Sequence, residues 1–218
     1  MQLFIDTANV DEIAKAVRTG FIDGVTTNPS IISRENRSLP DSVQEIRRIG
    51  PALTILLEVV SKSPDEMEKE AQRLVEFGGP NVVVKVPATS SGIAVVRRLR
   101  ERKIRTTVTL VFSVNQAIAS ACAGADFIAP FVGRLDDIDA DGVALVRSIK
   151  EIFRAQDVPT QIIAASVRSP QTVSELFRAG ADIVTLPFNV VSQMLNHPLT
   201  TQGLAKFEED WSKVPAGS

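Results

Sequence analysis

The sequence predicts a single (β/α)8 barrel over residues 1–218, eight parallel strands alternating with helices, with an extra helix at the C-terminal end. Three observations carry this reading. Short apolar, β-branched runs alternate with helical patterns along all 218 residues, and no Pro/Gly/Ser-rich linker divides them. Such barrels run to about 250 residues, with a minimum of about 200, and the chain falls inside that range. Finally, Ala123-Gly-Ala-Asp-Phe-Ile-Ala-Pro-Phe131 echoes Ala179-Gly-Ala-Asp-Ile-Val-Thr-Leu-Pro-Phe188. Both read as a helix ending at glycine and entering a strand, the joint of a βα repeat. An open doubly wound sheet is the structural alternative, but its phosphate-binding glycine fingerprint is not in the sequence.

Taken in order, Gln2 to Asp6 is a short apolar strand ending in a carboxylate, and Asn9 with Glu12 has the spacing of a capping box. A helix with Val10, Ile13 and Val17 on one face stops near Gly20. Phe21 to Val25 is the second strand, and residues 31–49 read as a helix broken by Pro40, with Ser33 to Ser38 as a polar connection. Leu53 to Val60 is the third strand. Ser63-Pro64-Asp65-Glu66 opens a helix that runs to Gly78, the serine capping it and the proline at its first position. Asn81-Val-Val-Val-Lys85-Val-Pro87 is what a parallel strand covered on both faces looks like, except for its lysine. Ile93 to Arg102 is a helix with a cationic outer face, and Arg105 to Val111 is a strand by its β-branched content. Asn115 to Ala123 is helical, Asp126 to Pro130 a strand, and Val143 to Phe153 helical. Thr160 to Ser166 is the seventh strand, Ser169-Pro170 caps the next helix, and Asp182 to Leu186 is the eighth strand. A short helix and a last one, Thr201 to Trp211, follow.

A hydrophobic fraction of 44% suits a full core. The net charge of −2, with no block of like charge, excludes the basic patch that a nucleic-acid or membrane-surface partner needs. Cys122 is the only cysteine, which excludes an internal disulfide framework and suits a reducing compartment. There is no basic segment leading into an apolar run and no stretch near the roughly 18 apolar residues of a membrane span, so a cytoplasmic protein is expected. Asn36-Arg37-Ser38 matches a glycosylation sequon, which without a secretory signal is read as chance.

Function in such barrels sits at the C-terminal ends of the strands. Those ends supply Asp6, Thr26 with Asn28, Glu58, Lys85, Thr109, Ala129 leading to Arg134, and Ser166 with Arg168, so every strand but the eighth offers a polar group there or nearby. Phe4 and Asp6, Leu56 and Glu58, Val83 and Lys85, Thr107 and Thr109, and Ala164 and Ser166 each share one face of their strand by parity. A lone lysine near a strand end more often reaches solvent. Placed inside the barrel, Lys85 would instead have its ammonium form disfavoured, keeping neutral amine able to attack a carbonyl and form a Schiff base. The protonated imine is an electron sink that lets a neighbouring carbon–carbon bond break. Asp6 and Glu58 can divide the proton transfers this requires. Arg134 and Arg168, with Ser166, suit a phosphate, although either arginine alone reads as a surface ion pair.

Other chemistries lack material. His197 is the only histidine and stands in Asn-His-Pro near the C-terminus, as a helix-end or loop residue. A histidine triad and a His/Cys metal cluster are thereby excluded. An all-carboxylate magnesium site from Asp6, Asp136 and Asp137 has no supporting spacing. No metal is assigned.

The motifs Asp6-Thr-Ala-Asn9, Gly24-Val-Thr-Thr-Asn-Pro-Ser30, Val84-Lys-Val-Pro87, Pro130-Phe-Val-Gly-Arg-Leu-Asp-Asp137, Ala164-Ala-Ser-Val-Arg168 and Phe207-Glu-Glu-Asp-Trp211 span nearly the whole chain in order. With them the chain resembles the transaldolase family, specifically its short members and the fructose-6-phosphate aldolases. The resemblance implies a (β/α)8 barrel with Lys85 as Schiff-base lysine and Asp6 as acid/base for carbon–carbon cleavage. It implies that Glu58 and Thr109 hold the catalytic water, that Thr26 and Asn28 contact the dihydroxyacetone unit and the imine, and that Arg134, Ser166 and Arg168 bind phosphate. The implied reaction moves a dihydroxyacetone group from sedoheptulose 7-phosphate to glyceraldehyde 3-phosphate, or in reverse between fructose 6-phosphate and erythrose 4-phosphate, as in the pentose phosphate pathway. No metal or organic cofactor is implied. A homo-oligomer is, a decamer or pentamer, with the last helix packed on a neighbour.

Two activities compete within this resemblance. Glu58 and Phe131 match the transaldolases, whereas the aldolases usually carry glutamine and tyrosine there. Ala129 matches the aldolases, whereas transaldolases usually place a donor-binding serine at that position. The expectation is a transaldolase with weaker or altered donor binding, the alternatives being a fructose-6-phosphate aldolase that releases free dihydroxyacetone and a non-catalytic sugar-phosphate-binding barrel.

Overall fold

The computed structural model describes residues 1–35 and 37–215. Asn36, the sequon asparagine, lies outside the described residues. Eight parallel strands close into a barrel in sequence order: β1 (Gln2–Asp6), β2 (Gly24–Thr26), β3 (Thr54–Glu58), β4 (Val82–Pro87), β5 (Thr106–Val111), β6 (Phe127–Pro130), β7 (Gln161–Ala164) and β8 (Ile183–Leu186). The helices are α1 (Val10–Val17), α2 (Pro29–Ile32), α3 (Leu39–Ile49), α4 (Pro64–Gly78), α5 (Ser90–Glu101), α6 (Val114–Ala123), α7 (Val132–Asp136), α8 (Gly142–Ala155), α9 (Pro170–Ala179), α10 (Phe188–Met194) and α11 (Pro198–Trp211). This is the (β/α)8 barrel the sequence predicts, with the expected extra helix at its end. No helix among the described residues is long and apolar enough to cross a membrane.

Strand parity sorts the core into two layers. Phe4, Leu56, Val83, Phe127, Ile163 and Ile183 fill the barrel interior, while their strand neighbours such as Ile5, Val82, Val84, Val108 and Val184 pack outward against the helices. Gly24 is required by this packing, because a Cβ there would lie 2.8 Å from the ring of Phe4 on the adjacent strand. The caps follow the sequence signals. Asn9 accepts from the backbone N–H groups of Asp11 and Glu12, and Ser63 from that of Glu66.

Two expectations need correction, and one helix was not expected. Pro40 does not break a helix spanning residues 31–49; it stands in the first turn of α3, where its missing N–H costs nothing, and Ser38 caps that helix. The stretch after β6 holds a short helix, α7, that five residues between a proline and a run of acids do not advertise. Strand β7 ends at Ala164, and Ser166 takes a left-handed backbone with φ +63°. Ala164 faces the helices, whereas Ile163 and Ala165 face the barrel, so the inward parity expected for Ala164 is wrong.

Candidate active site

At the C-terminal end of the barrel a small cavity is lined by Asp6, Thr26, Asn28, Lys85, Ala129 and Phe131, together with Thr185. Parity on β4 turns Lys85 inward above Val83, and its side chain is 5% exposed. Its Nζ lies 3.0 Å from Glu58 Oε2, on the register-paired residue of β3, and donates to the Thr27 carbonyl oxygen at 2.8 Å. A buried ammonium is tolerated only with such partners. The same contacts aim the nitrogen at one point in the cavity, which addresses the solvent-reaching alternative: Lys85 does not snorkel.

Asp6 receives a hydrogen bond from Thr26 Oγ1 at 2.7 Å. Burial pushes its carboxyl above the ordinary aspartate range; the Thr26 hydrogen bond and the Lys85 charge pull the other way, and the Glu58 charge adds to the rise. Asn28 caps α2, its Oδ1 accepting from Ile31 N at 2.9 Å, which leaves the amide NH2 as the donor free for a ligand. Thr109 is buried on β5 just before a register shift at Val108/Val111, where Leu110 is left-handed with φ +58°. Among the described residues its hydroxyl has no protein partner, and neither do those of Thr106 and Thr107.

The phosphate candidates stand on the rim. Arg134 places its guanidinium 5.1 Å from the centre of the Phe131 ring, and Phe112 meets that ring edge-on at 6.1 Å. A Cβ on Gly133 of α7 would fall 3.1 Å from Ser166 Oγ, 3.0 Å from Arg168 Nε and 2.1 Å from the Ser166 carbonyl oxygen, so these groups converge where only glycine fits. Arg168 is bound through Nη1 and Nη2 to the Asp137 carboxylate, and its Nε lies beside Gly133. That pair holds the Asp137 carboxyl below the usual range.

The three carboxylates weighed as a magnesium site are engaged separately. Asp6 is in the cavity, Asp136 accepts from Gly142 N at 3.2 Å, and Asp137 pairs with Arg168. Among the described residues no three His, Cys, Asp or Glu side chains gather as a metal site. His197 caps α11, accepting from Leu199 N at 3.2 Å, as its helix-end position suggested. The sequence reading missed Thr185, whose Oγ1 lies 2.6 Å from that of Thr26. Its inward parity with Ile183 on β8 is the signal that could have found it.

A closed parallel barrel with a buried lysine, a paired glutamate and a half-buried aspartate at its C-terminal mouth has the layout of an enzyme of the (β/α)8 class. Comparison with known proteins gives the family. Residues 3–216 match the family described as Transaldolase/Fructose-6-phosphate aldolase, and the chain belongs to it. It is 53% identical over 213 residues to "Probable transaldolase 1" of Listeria monocytogenes serotype 4b, covering 97% of this chain and 98% of that one. It is 52% identical over 216 residues to "Probable transaldolase" of Moorella thermoacetica, covering 98% and 99%. The crystal structure of 3-hexulose-6-phosphate synthase superposes with a TM-score of 0.62 at 12% identity, covering 88% of this chain and 96% of that one, a likeness of fold alone.

Proposed function

We propose that the protein is a transaldolase that carries a dihydroxyacetone unit between sugar phosphates on Lys85. The observation that carries this reading is the Lys85–Glu58 pair with Asp6 in the same cavity. Lys85 hands its proton to Glu58 and attacks the ketose carbonyl, and the carbinolamine loses water as Glu58, through a water held with Thr109, returns that proton. Asp6 takes the proton of the C4 hydroxyl, the C3–C4 electron pair flows into the iminium, and the aldose phosphate leaves. The enamine then attacks an acceptor aldehyde, whose oxygen takes the proton back from Asp6, and water hydrolyses the new imine to free Lys85. Thr26 and Asn28 would hold the dihydroxyacetone unit, and Arg134, Ser166 and Arg168 the phosphate of sedoheptulose 7-phosphate, fructose 6-phosphate, erythrose 4-phosphate or glyceraldehyde 3-phosphate. Borohydride reduction in the presence of fructose 6-phosphate, followed by peptide mapping, is expected to place one adduct on Lys85. A barrel that merely binds sugar phosphate would yield none.

Two side chains divide the transferase from the aldolase reading. Phe131 lines the cavity with an apolar ring that brings no hydroxyl to orient a water toward the enamine, and Phe112 and Arg134 hold that ring from the rim. Ala129, by contrast, offers the donor no hydroxyl. The apolar ring favours transfer: release of glyceraldehyde 3-phosphate from fructose 6-phosphate should be at least tenfold faster with erythrose 4-phosphate than without it. Equal rates would mean an aldolase.

We place this enzyme in the cytoplasm as a homo-oligomer, a pentamer or decamer, with no nucleic-acid or membrane partner. Helix α11 supports the assembly. It has no buried residue, and Leu204, Phe207 and Trp211, spaced along one face, are 57%, 70% and 76% exposed. Replacing Phe207 and Trp211 together by glutamate is expected to move the protein to a smaller species in analytical ultracentrifugation.

A further inference from the structure

We propose that Thr185 is a positioning residue for the reaction, acting on Asp6 through Thr26 by a chain of hydroxyl hydrogen bonds across the barrel seam. The inference rests on the assignment of Asp6 as acid/base. Its basis is geometry: Thr26 Oγ1 lies 2.7 Å from Asp6 Oδ1 and 2.6 Å from Thr185 Oγ1, and the two threonines are 3% and 2% exposed. The three residues come from β2, β1 and β8, neighbouring strands joined where the barrel closes.

Proton counting sets the direction of the chain. A threonine hydroxyl carries one proton and two lone pairs. When Asp6 is ionised it can only accept, so Thr26 donates to it and has no proton left for Thr185. Thr185 must then donate to Thr26. When Asp6 is protonated it can give its proton to substrate or to Thr26, and the Thr26 proton can turn to Thr185. The chain thus follows the state of Asp6 in either half of the reaction, with no side chain moving. Hydrogen bonds in series strengthen one another in a site of low dielectric, so the donation from Thr185 makes Thr26 a better donor to the carboxylate. The charged groups acting on Asp6 are Lys85 from β4 and Glu58 from β3, of opposite sign. The threonine chain is the neutral contribution that favours the ionised base in a buried position.

Thr185→Val keeps the shape of the side chain and removes the donor. The acid limb of the kcat profile is expected to move up by about half a pH unit, because Asp6 loses support for its ionised form. Thr185→Ser should return the limb to its wild-type position. Borohydride trapping of Lys85 with fructose 6-phosphate should proceed at the wild-type rate in both variants, because imine formation does not draw on Asp6. A merely structural role would lower the melting temperature without moving the limb, and an unmoved limb in folded Thr185→Val overturns the proposal. If that variant does not fold, Thr185→Ala makes no demand on neighbouring side chains and carries the same expectation with the same power to overturn it. Failure of the wild-type protein to form any Lys85 adduct would instead sink the Schiff-base reading itself, so the two failures are distinguishable.

Discussion

Lys85→Met should abolish both the borohydride adduct and turnover, with residual rates at least a thousandfold below wild type, because no other amine reaches the cavity. The same substitution should also cost stability. Glu58 is 14% exposed and faces Lys85 at 3.0 Å, so removing the lysine strands a largely buried carboxylate and deprives the Thr27 carbonyl of its donor. Breaking a buried pair by deleting one partner costs on the order of 3 kcal/mol. Lys85→Met combined with Glu58→Met should recover most of that loss in a denaturant titration while remaining inactive. If the single variant is as stable as wild type, the pair is not the buried contact described above.

Asp6→Asn separates the two halves of the reaction. Turnover is expected to fall by about 10²–10⁴, while the Lys85 adduct still forms and can be trapped. Stability should change in the opposite sense. Burial raises the Asp6 carboxyl above its unfolded value, so the folded chain prefers the protonated form. That preference costs nothing below the unfolded carboxylate range and its full amount above the raised folded value. Asparagine removes the penalty, so the variant should melt higher than wild type near neutral pH, and the gain should vanish as the pH falls into the ordinary aspartate range. Melting curves at several pH values test the sign, and a variant that melts lower at neutral pH would refute it. The active wild-type enzyme, needing Asp6 ionised, should correspondingly show its acid limb above the range of a free aspartate.

Particular residues show what could be read from the chain beforehand. The valine run around Lys85 was legible as a parallel barrel strand covered on both faces, with the lysine near its end, although valine on either side left open which face is inward. Asp6, Thr26, Asn28 and Glu58 were legible for the same reason, each closing a strand or following it directly. Parity failed on β7, where Ile163 and Ala165 face the barrel and Ala164 does not, so the phase of the strand was read one residue out before the chain turns at left-handed Ser166. Such a turn has no periodic signature. Thr185 was overlooked because threonine is ordinary in a strand; its significance lies in a neighbour 159 residues away, which only ring closure brings within 2.6 Å. The Arg168 pairing with Asp137 was hidden likewise, since sequence shows a charge but not its partner.

Closure between β1 and β8, with Gln2 beside Ile183 and Ile5 beside Leu186, has a consequence for how the protein is made. Lys85 leaves the ribosome well before the strand that completes the surroundings of Asp6. A nascent chain that stops short of residue 183 is an open sheet with β1 unpaired on one side, an edge prone to wrong pairing. The hydroxyl chain from Thr185 does not exist in it. The surroundings of Asp6 are therefore complete only once β8 has joined the barrel.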